Sequence, residues 1–389
     1  MGKNGDGAKL KRTFRIHNRK VRFNLSAKIG DNPGIKNPAT KYVYSERREW
    51  TMLPERSTNR ILENEILPYL PRTLSLLISS IPRIQLAALT EIRLRKGKPL
   101  ILHLGLREQF VDADGRLTKN PERAYVVSAA EIAAALNIMS QSSLYALEEE
   151  LRNGYLTLCG GHRVGFVGQA LVEGGKIRSI KHISAFNVRI AREIPGAADA
   201  VMPYLINMHR AYNTLIISPP QCGKTTMLRD IARQLSNGIP GMFSGIKVGI
   251  VDERSEIAGA YEGVPQKNVG MRTDVLDACP KAEGMIMLIR SMSPQVIVVD
   301  EIGKIEDVHA IEEAVRAGVN LLVSVHGTGI SQLKERPSLQ KLFRERLFER
   351  YIVLGCSRGV GTIEEIYDEQ FTELLHKPPG DRKEIKPCG

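Results

Sequence analysis

At 389 residues the chain has room for two domains, and its 42% apolar and 25% charged residues are ordinary for a soluble globular protein. The net charge of +12 sits at one end: residues 1–51 hold thirteen Lys/Arg against four Asp/Glu, a net +9, leaving +3 for residues 52–389. A near-neutral globular part argues against a basic nucleic-acid groove, and one Trp with nine Phe offers few stacking platforms. No apolar run reaches membrane-spanning length, because Pro71, Arg72, Pro82 and Arg83 break the 67–89 region. The five cysteines (Cys159, Cys222, Cys279, Cys356, Cys388) show no CxxC or Cys/His ligand spacing, which reads as reduced thiols rather than a zinc site.

Residues 1–51 are basic, rich in Gly and Asn, and lack sustained periodicity, so a disordered extension is expected. Two other readings stay open: an arm for an anionic surface, at about 1 kcal/mol per Lys/Arg, or translation beginning at Met52. The stretch lacks the apolar core of a secretory signal.

Residues 52–195 read as an N-terminal α+β domain. A helix is expected over 59–77, and 91–102 reads as two short strands about Gly97. Ser128-x-x-Glu131 is a capping box opening the helix EIAAALNIM, and another helix is expected over 141–151. Residues 155–171 and 176–190 alternate apolar and polar between glycine turns, as antiparallel strands do. Gly160-Gly161-His162-Arg163 falls within them. It reads as a hairpin turn rather than a catalytic element, because His162 has no nucleophile or carboxylate at useful spacing. Arg189 and Arg192 stand at the join with the next domain. They are either a solvated strand face or, for Arg192, a finger reaching a γ-phosphate on its own or a neighbouring subunit.

Residues 196–375 carry the chemistry, and 376–389 read as a disordered tail. Within 213–230 (NTLIISPPQCGKTTMLRD) an apolar strand runs into a tight loop, and GKTT then opens a helix. Strand, loop, GK[ST] and helix in that order make a phosphate-binding loop, Ser218, Pro219, Pro220, Gln221, Cys222, Gly223, Lys224, Thr225 and Thr226. Its N–H groups and the helix N-terminus favour an anion. Lys224 would neutralise phosphate charge and the Thr225 hydroxyl would hold Mg²⁺. Ser218 replaces the first glycine of the motif, which questions the loop's entry geometry. The two prolines offer no N–H, so donors must come from Gln221 to Thr226.

Residues 247–252 (KVGIVD) form a short apolar strand ending in Asp252, Glu253 and then Glu256. Carboxylates at strand ends can orient water, or they can be surface ion pairs; both readings stand for Glu253. Val296 to Asp300 (VIVVD) ends in Asp300-Glu301, a Walker B strand in which Asp300 holds Mg²⁺-bound water and Glu301 polarises the attacking water. An amphipathic helix over 305–317 is stopped by Gly318. The strand 320–325 then ends at His326, where a side chain can sense a γ-phosphate. Residues 331–350 read as helical, broken by Pro337, and 351–354 with 362–367 as closing strands.

The segments CGKTTMLRDIAR, VGIVDERSEIAGAYEGVPQKNVGMRTDVLDACPKAEGM, IRSMSPQVIVVDEIG and GGHRVGFVG resemble the stage III sporulation AA family of endospore-forming bacteria, over residues 53–368. That family looks like a relative of type II and type IV secretion and pilus ATPases. The resemblance implies an α/β fold, a RecA-like P-loop ATPase core with a smaller N-terminal α+β domain, and six chains in a ring. It places Asp252, Glu253 and Glu256 on an acidic box, Asp300-Glu301 on Walker B and His326 on a histidine box, with Glu301 as base. ATP and Mg²⁺ are the implied cofactors. The implied partners are membrane channel proteins of a sporulation secretion complex, reached peripherally from the mother-cell cytoplasm. A nucleic-acid-dependent ATPase is the alternative enzyme, and a nucleotide-gated scaffold without turnover is a third reading.

Overall fold

The computed structural model describes residues 13–16, 19–22, 60–105, 107–140 and 148–375. Within the basic extension two strands pair antiparallel, β1 (Thr13–Ile16) and β2 (Arg19–Arg22). The rest of that extension, the 376–389 tail and residues 141–147 of the expected 141–151 helix lie outside the described residues.

The 59–77 helix expected from sequence is interrupted. Residues 62–69 wind as irregular helical turns, and a regular helix, α1 (Arg72–Ser79), starts only after Pro71. The cause is local: Pro68 and Pro71 lack an N–H and crowd the preceding carbonyl, so one helix cannot run through both. Seven antiparallel strands follow: β3 (Leu89–Arg95), β4 (Ile101–Leu104), β5 (Arg107–Val111), β6 (Leu117–Thr118), β7 (Tyr155–Leu158), β8 (His162–Glu173) and β9 (Lys176–Arg189). They form one sheet in the order β6-β5-β4-β3-β9-β8-β7. The capping box forms as expected: Ser128 Oγ accepts from Glu131 N, and the Glu131 carboxylate accepts from Ser128 N, opening α2 (Ala129–Met139). This helix, α1 and the inner sheet face share one apolar core, with Leu74, Ile78, Ile92, Leu94, Ile132, Phe166 and Phe186 among its buried residues.

The second sheet carries the nucleotide motif. Its strands are β10 (Thr214–Ser218), β13 (Val248–Asp252), β14 (Thr273–Asp277), β15 (Val296–Val299), β16 (Asn320–His326), β17 (Arg350–Gly355) and β18 (Thr362–Asp368), in the order β14-β13-β15-β16-β10-β17-β18. All pairs are parallel except β17 with β18. A minor pair, β11 (Gly238–Ile239) and β12 (Phe243–Ser244), lies between β10 and β13 in the chain. Three helices follow the phosphate loop, the edge strand β14 and the Walker B strand: α3 (Lys224–Asn237), α4 (Lys281–Met292) and α5 (Ile305–Arg316).

Because helices cover both faces, the central strands are apolar throughout rather than alternating. Ile216, Ile250, Val298, Leu322 and Ile352 face one core, and Leu215, Ile217, Val251, Ile297, Val299, Val323 and Val353 face the other. Each such side chain contributes about 1.5–3 kcal/mol by burial, so the strand ends holding the site are stiffly supported. The edge strand β14 escapes the sequence pattern because all five of its residues are only half-buried.

A partly exposed ion pair ties the starts of β10 and β17. Both Glu349 oxygens accept from Arg210, and Oε2 also accepts from Asn213 N at 3.0 Å. Burial pushes the Glu349 carboxyl up, but the Arg210 and Asn213 hydrogen bonds and the Arg210 and Arg350 charges outweigh it, so its pKa is lowered from 4.5. A depressed carboxylate stabilises the fold above the unfolded-state pKa, and that increment is lost as pH falls through the folded value. Glu349→Gln is therefore expected to melt below wild type at neutral pH, with the gap closing on acidification below pH 4.5. Thermal melts across pH measure this; a gap that stays constant would contradict it.

Candidate nucleotide site

The replaced glycine at Ser218 costs nothing here. Ser218 is the last residue of β10, 1% exposed and in strand register opposite His326. Its carbonyl accepts from Gly327 N at 3.1 Å. The left-handed turns fall instead on Gln221 (φ 60°) and Gly223 (φ 83°), on either side of Cys222. Gly223 is required twice, because a Cβ there would also lie 3.2 Å from Gly361 Cα. The loop between β17 and β18 thus rests its backbone directly on the phosphate loop.

At the start of α3, Lys224 Nζ lies 3.3 Å from Asp300 Oδ1 and 3.5 Å from Glu301 Oε2. Thr225 Oγ1 donates to Asp300 Oδ2 at 3.1 Å. The two motifs, far apart in sequence, therefore meet at one point. Ser324 on β16, which sequence reading passed over, locks this arrangement. Its hydroxyl donates to Asp300, and Glu301 N donates to it at 2.9 Å. Glu301 itself is held at φ 54°, a costly backbone state for a side-chain-bearing residue. The sequence signal for Ser324 was a lone polar residue inside the apolar run NLLVSVH. Arg254 Nη1 lies 3.6 Å from Glu301 Oε2.

The other expected residues take up different positions. Glu253 is ion-paired to Lys281 at the start of α4. His326 is exposed at the end of β16, beside Ser218. Arg192 donates to Leu89 O of the N-terminal sheet at 2.6 Å, and burial lowers its pKa. Pro219 and Pro220 line the loop entry, and Thr226 follows Thr225 in the first turn of α3. The thiol expectation holds for Cys159 and Cys279, which are free. It fails for Cys222 and Cys356, which are disulfide-bonded. No sequence spacing flags that pair, because only the parallel register of β10 with β17 brings the two loops together.

A second cluster joins the site to the N-terminal sheet. Asp252, 2% exposed, accepts from the backbone N–H groups of Glu256, Ile257 and Ala258 at 2.9, 3.0 and 2.8 Å. Burial raises its pKa, opposed by those three donors. Arg229 on α3 donates to the carbonyls of Ile257 and Glu256, and burial lowers its pKa. From the other side, Arg163 Nη1 meets Glu256 Oε1 at 3.0 Å and Gly160 N donates to Gln266 at 2.9 Å. The Gly160-Gly161 turn joins β7 to β8, so the hairpin reading holds. A Cβ on Gly161 would lie 3.0 Å from Gly259 O, and one on Gly259 would lie 3.2 Å from Gly161 Cα. His162 is structural: Ala191 N donates to Nδ1 at 3.1 Å, which leaves Nε2 to donate to Glu65 at 2.8 Å. Its burial lowers its pKa, keeping the ring neutral.

Strand order and site together define the class. The P-loop strand β10 and the Walker B strand β15 are separated by β16, with β17 on the far side of β10. This is an α/β, RecA-like P-loop core beside a smaller N-terminal α+β domain. The family described as "Sporulation stage III, protein AA" matches residues 63–374, and the chain belongs to that family. It is 46% identical over 311 residues to stage III sporulation protein AA of Bacillus subtilis (strain 168), covering 80% of this chain and 97% of that protein. It is also 31% identical over 156 residues to SEEDLING PLASTID DEVELOPMENT 1 of Arabidopsis thaliana, covering 40% of this chain and 22% of that protein. Among solved structures, the Legionella pneumophila ATPase DotB overlays with TM-score 0.46 at 16% identity, covering 70% of this chain and 74% of that one. The pilus retraction motor PilT with bound ADP overlays with TM-score 0.46 at 15% identity, covering 68% and 74%. These overlays are loose, and the class rests on the strand order and motifs of the chain itself.

Proposed function

We propose that this chain is an ATP-hydrolysing motor that powers or gates a membrane channel complex during sporulation. The observation that carries the reading is the convergence of Lys224, Thr225, Asp300 and Glu301 at the N-terminus of α3. An ammonium, a hydroxyl and a carboxylate side by side fit a nucleotide phosphate with its Mg²⁺: Thr225 and Asp300 would hold the ion, and Lys224 the phosphate charge. Bound Mg²⁺ would draw charge from the transferring phosphoryl group. Phosphate entry takes Lys224 from its two carboxylates, which leaves Glu301 to accept a proton from the attacking water. Gln221 to Thr226 supply backbone donors. His326, at the adjacent strand end, is the γ-phosphate sensor, and Arg192 is the residue a finger role would draw on. Residues 52–195 and 196–375 are the two halves that the cycle moves, in a ring of six chains. The partners are channel proteins that bring the chain to the membrane from the mother-cell cytoplasm. Among the described residues no helix is long and apolar enough to cross a membrane.

The test is phosphate release from ATP by the full chain at several protein concentrations, with and without single-stranded DNA or RNA. Turnover per chain is expected to rise with concentration, as active sites completed between subunits require, and to ignore nucleic acid. Stimulation by nucleic acid that disappears with salt would favour a nucleic-acid-dependent ATPase. Assembled protein that neither binds labelled nucleotide nor releases phosphate would end the reading.

A further inference from the structure

The structure assigns a thiol–disulfide exchange site to Cys222 and Cys356, one that sets whether the phosphate loop can take up nucleotide. The inference rests on the nucleotide reading above and adds a control to it. Three observations converge. Cys222 is the residue between the two left-handed positions of the loop, Gln221 and Gly223, and is fully buried. Its bonded partner Cys356 opens the loop between β17 and β18. That loop is braced from within: Thr362 Oγ1 donates to Gly359 O at 2.6 Å, and Ser357 N donates to Glu364 at 3.2 Å. It also touches Gly223 backbone to backbone through Gly361. A covalent tie from a braced loop to the apex of the phosphate loop removes the freedom that an incoming phosphate uses to widen it. The oxidised form is therefore the one that resists nucleotide.

The chemistry has a preferred direction. Cys356 is partly exposed while Cys222 is not, so a thiolate of a dithiol reductant attacks Cys356 Sγ. The new sulfur–sulfur bond forms as the Cys356–Cys222 bond breaks, and the electron pair leaves on Cys222. That sulfur sits just ahead of α3 and takes up a proton as the exchange completes. The reductant's second thiol then attacks its own bridging sulfur and releases Cys356. Two electrons and two protons pass to the protein, and the dithiol departs as a cyclic disulfide. A small-molecule disulfide such as oxidised glutathione reverses the process.

The experiment compares full-length protein equilibrated with oxidised glutathione against protein reduced with dithiothreitol, the state of each checked by mass spectrometry after alkylation. Affinity for a fluorescent ATP analogue is measured on both and on Cys356→Ser. Reduction is expected to tighten binding about fivefold or more, the lower end of coupling between linked equilibria. Cys356→Ser is expected to bind like the reduced protein under both conditions. Linkage also requires that the analogue favour reduction of the bond by the same factor. Equal affinity in the two states, a redox response that survives in Cys356→Ser, or no Cys222–Cys356 bond in excess oxidised glutathione would overturn the assignment. Absence of binding in every form, the reduced one included, would instead overturn the nucleotide reading on which it stands.

Discussion

Glu301→Gln is expected to cut phosphate release from ATP about 10²- to 10⁴-fold, the usual range for a lost general base, while leaving ATP affinity within a few-fold. Glutamine keeps the shape and the hydrogen-bonding reach but takes no proton. Binding survives because Lys224, Thr225 and the loop N–H donors remain, and one negative charge near the phosphates is removed. The backbone of Glu301 stays at its positive φ, since Ser324 still accepts its N–H. Lys224→Ala makes the contrast: affinity and turnover should both fall, because its ammonium holds the bound phosphates and interacts more strongly still with the charge that develops in the transition state. Single-turnover and equilibrium-binding measurements separate the two. Wild-type turnover in Glu301→Gln would move the base elsewhere. Glu253 would be the next carboxylate to try, and it would first have to leave Lys281.

Asp252→Ala is expected to destabilise the chain by about 3 kcal/mol or more, because three backbone donors lose their acceptor inside the protein. For a domain of this size that corresponds to a melting temperature lower by about 6 °C or more. The carboxylate is not at the surface, so water cannot replace it without opening the fold. Asp252→Asn, which keeps one acceptor oxygen, should fall between the two. The same substitution should reduce ATP turnover, since the segment Asp252 caps is the one Arg229 of α3 and Arg163 of the N-terminal sheet both grip. A melting curve unchanged from wild type would show that the three N–H groups find other partners.

Asp252 also marks what was legible in the sequence. It was legible as an acid at a strand end, and the structure makes it a cap for backbone. What sequence carried well was local: the apolar runs of β10, β13, β15 and β16, the GKT loop, the Ser128–Glu131 capping box, and the Asp300-Glu301 ending. Each is decided by residues within one or two turns of one another. What it carried poorly was either weakly patterned or long-range. The half-buried β14 has no apolar alternation to betray it, and the 59–77 helix was over-read through two prolines. Ser324 under Asp300, Lys281 on Glu253, and the Cys222–Cys356 bond depend on which strands become neighbours. Periodicity does not encode that. The concern over Ser218 was misplaced for a related reason: the motif's first position needs a small residue at a strand end, and the positive φ falls later, at Gln221 and Gly223.

The meeting of Gly161 with Gly259 has a mechanical consequence. Side chains at most contacts act as cushions, since a rotamer can shift and absorb a small displacement. Two stretches of main chain in direct touch have no such slack. A displacement of the segment held by Arg229 and Asp252 would therefore pass to the opposite sheet at this joint undamped.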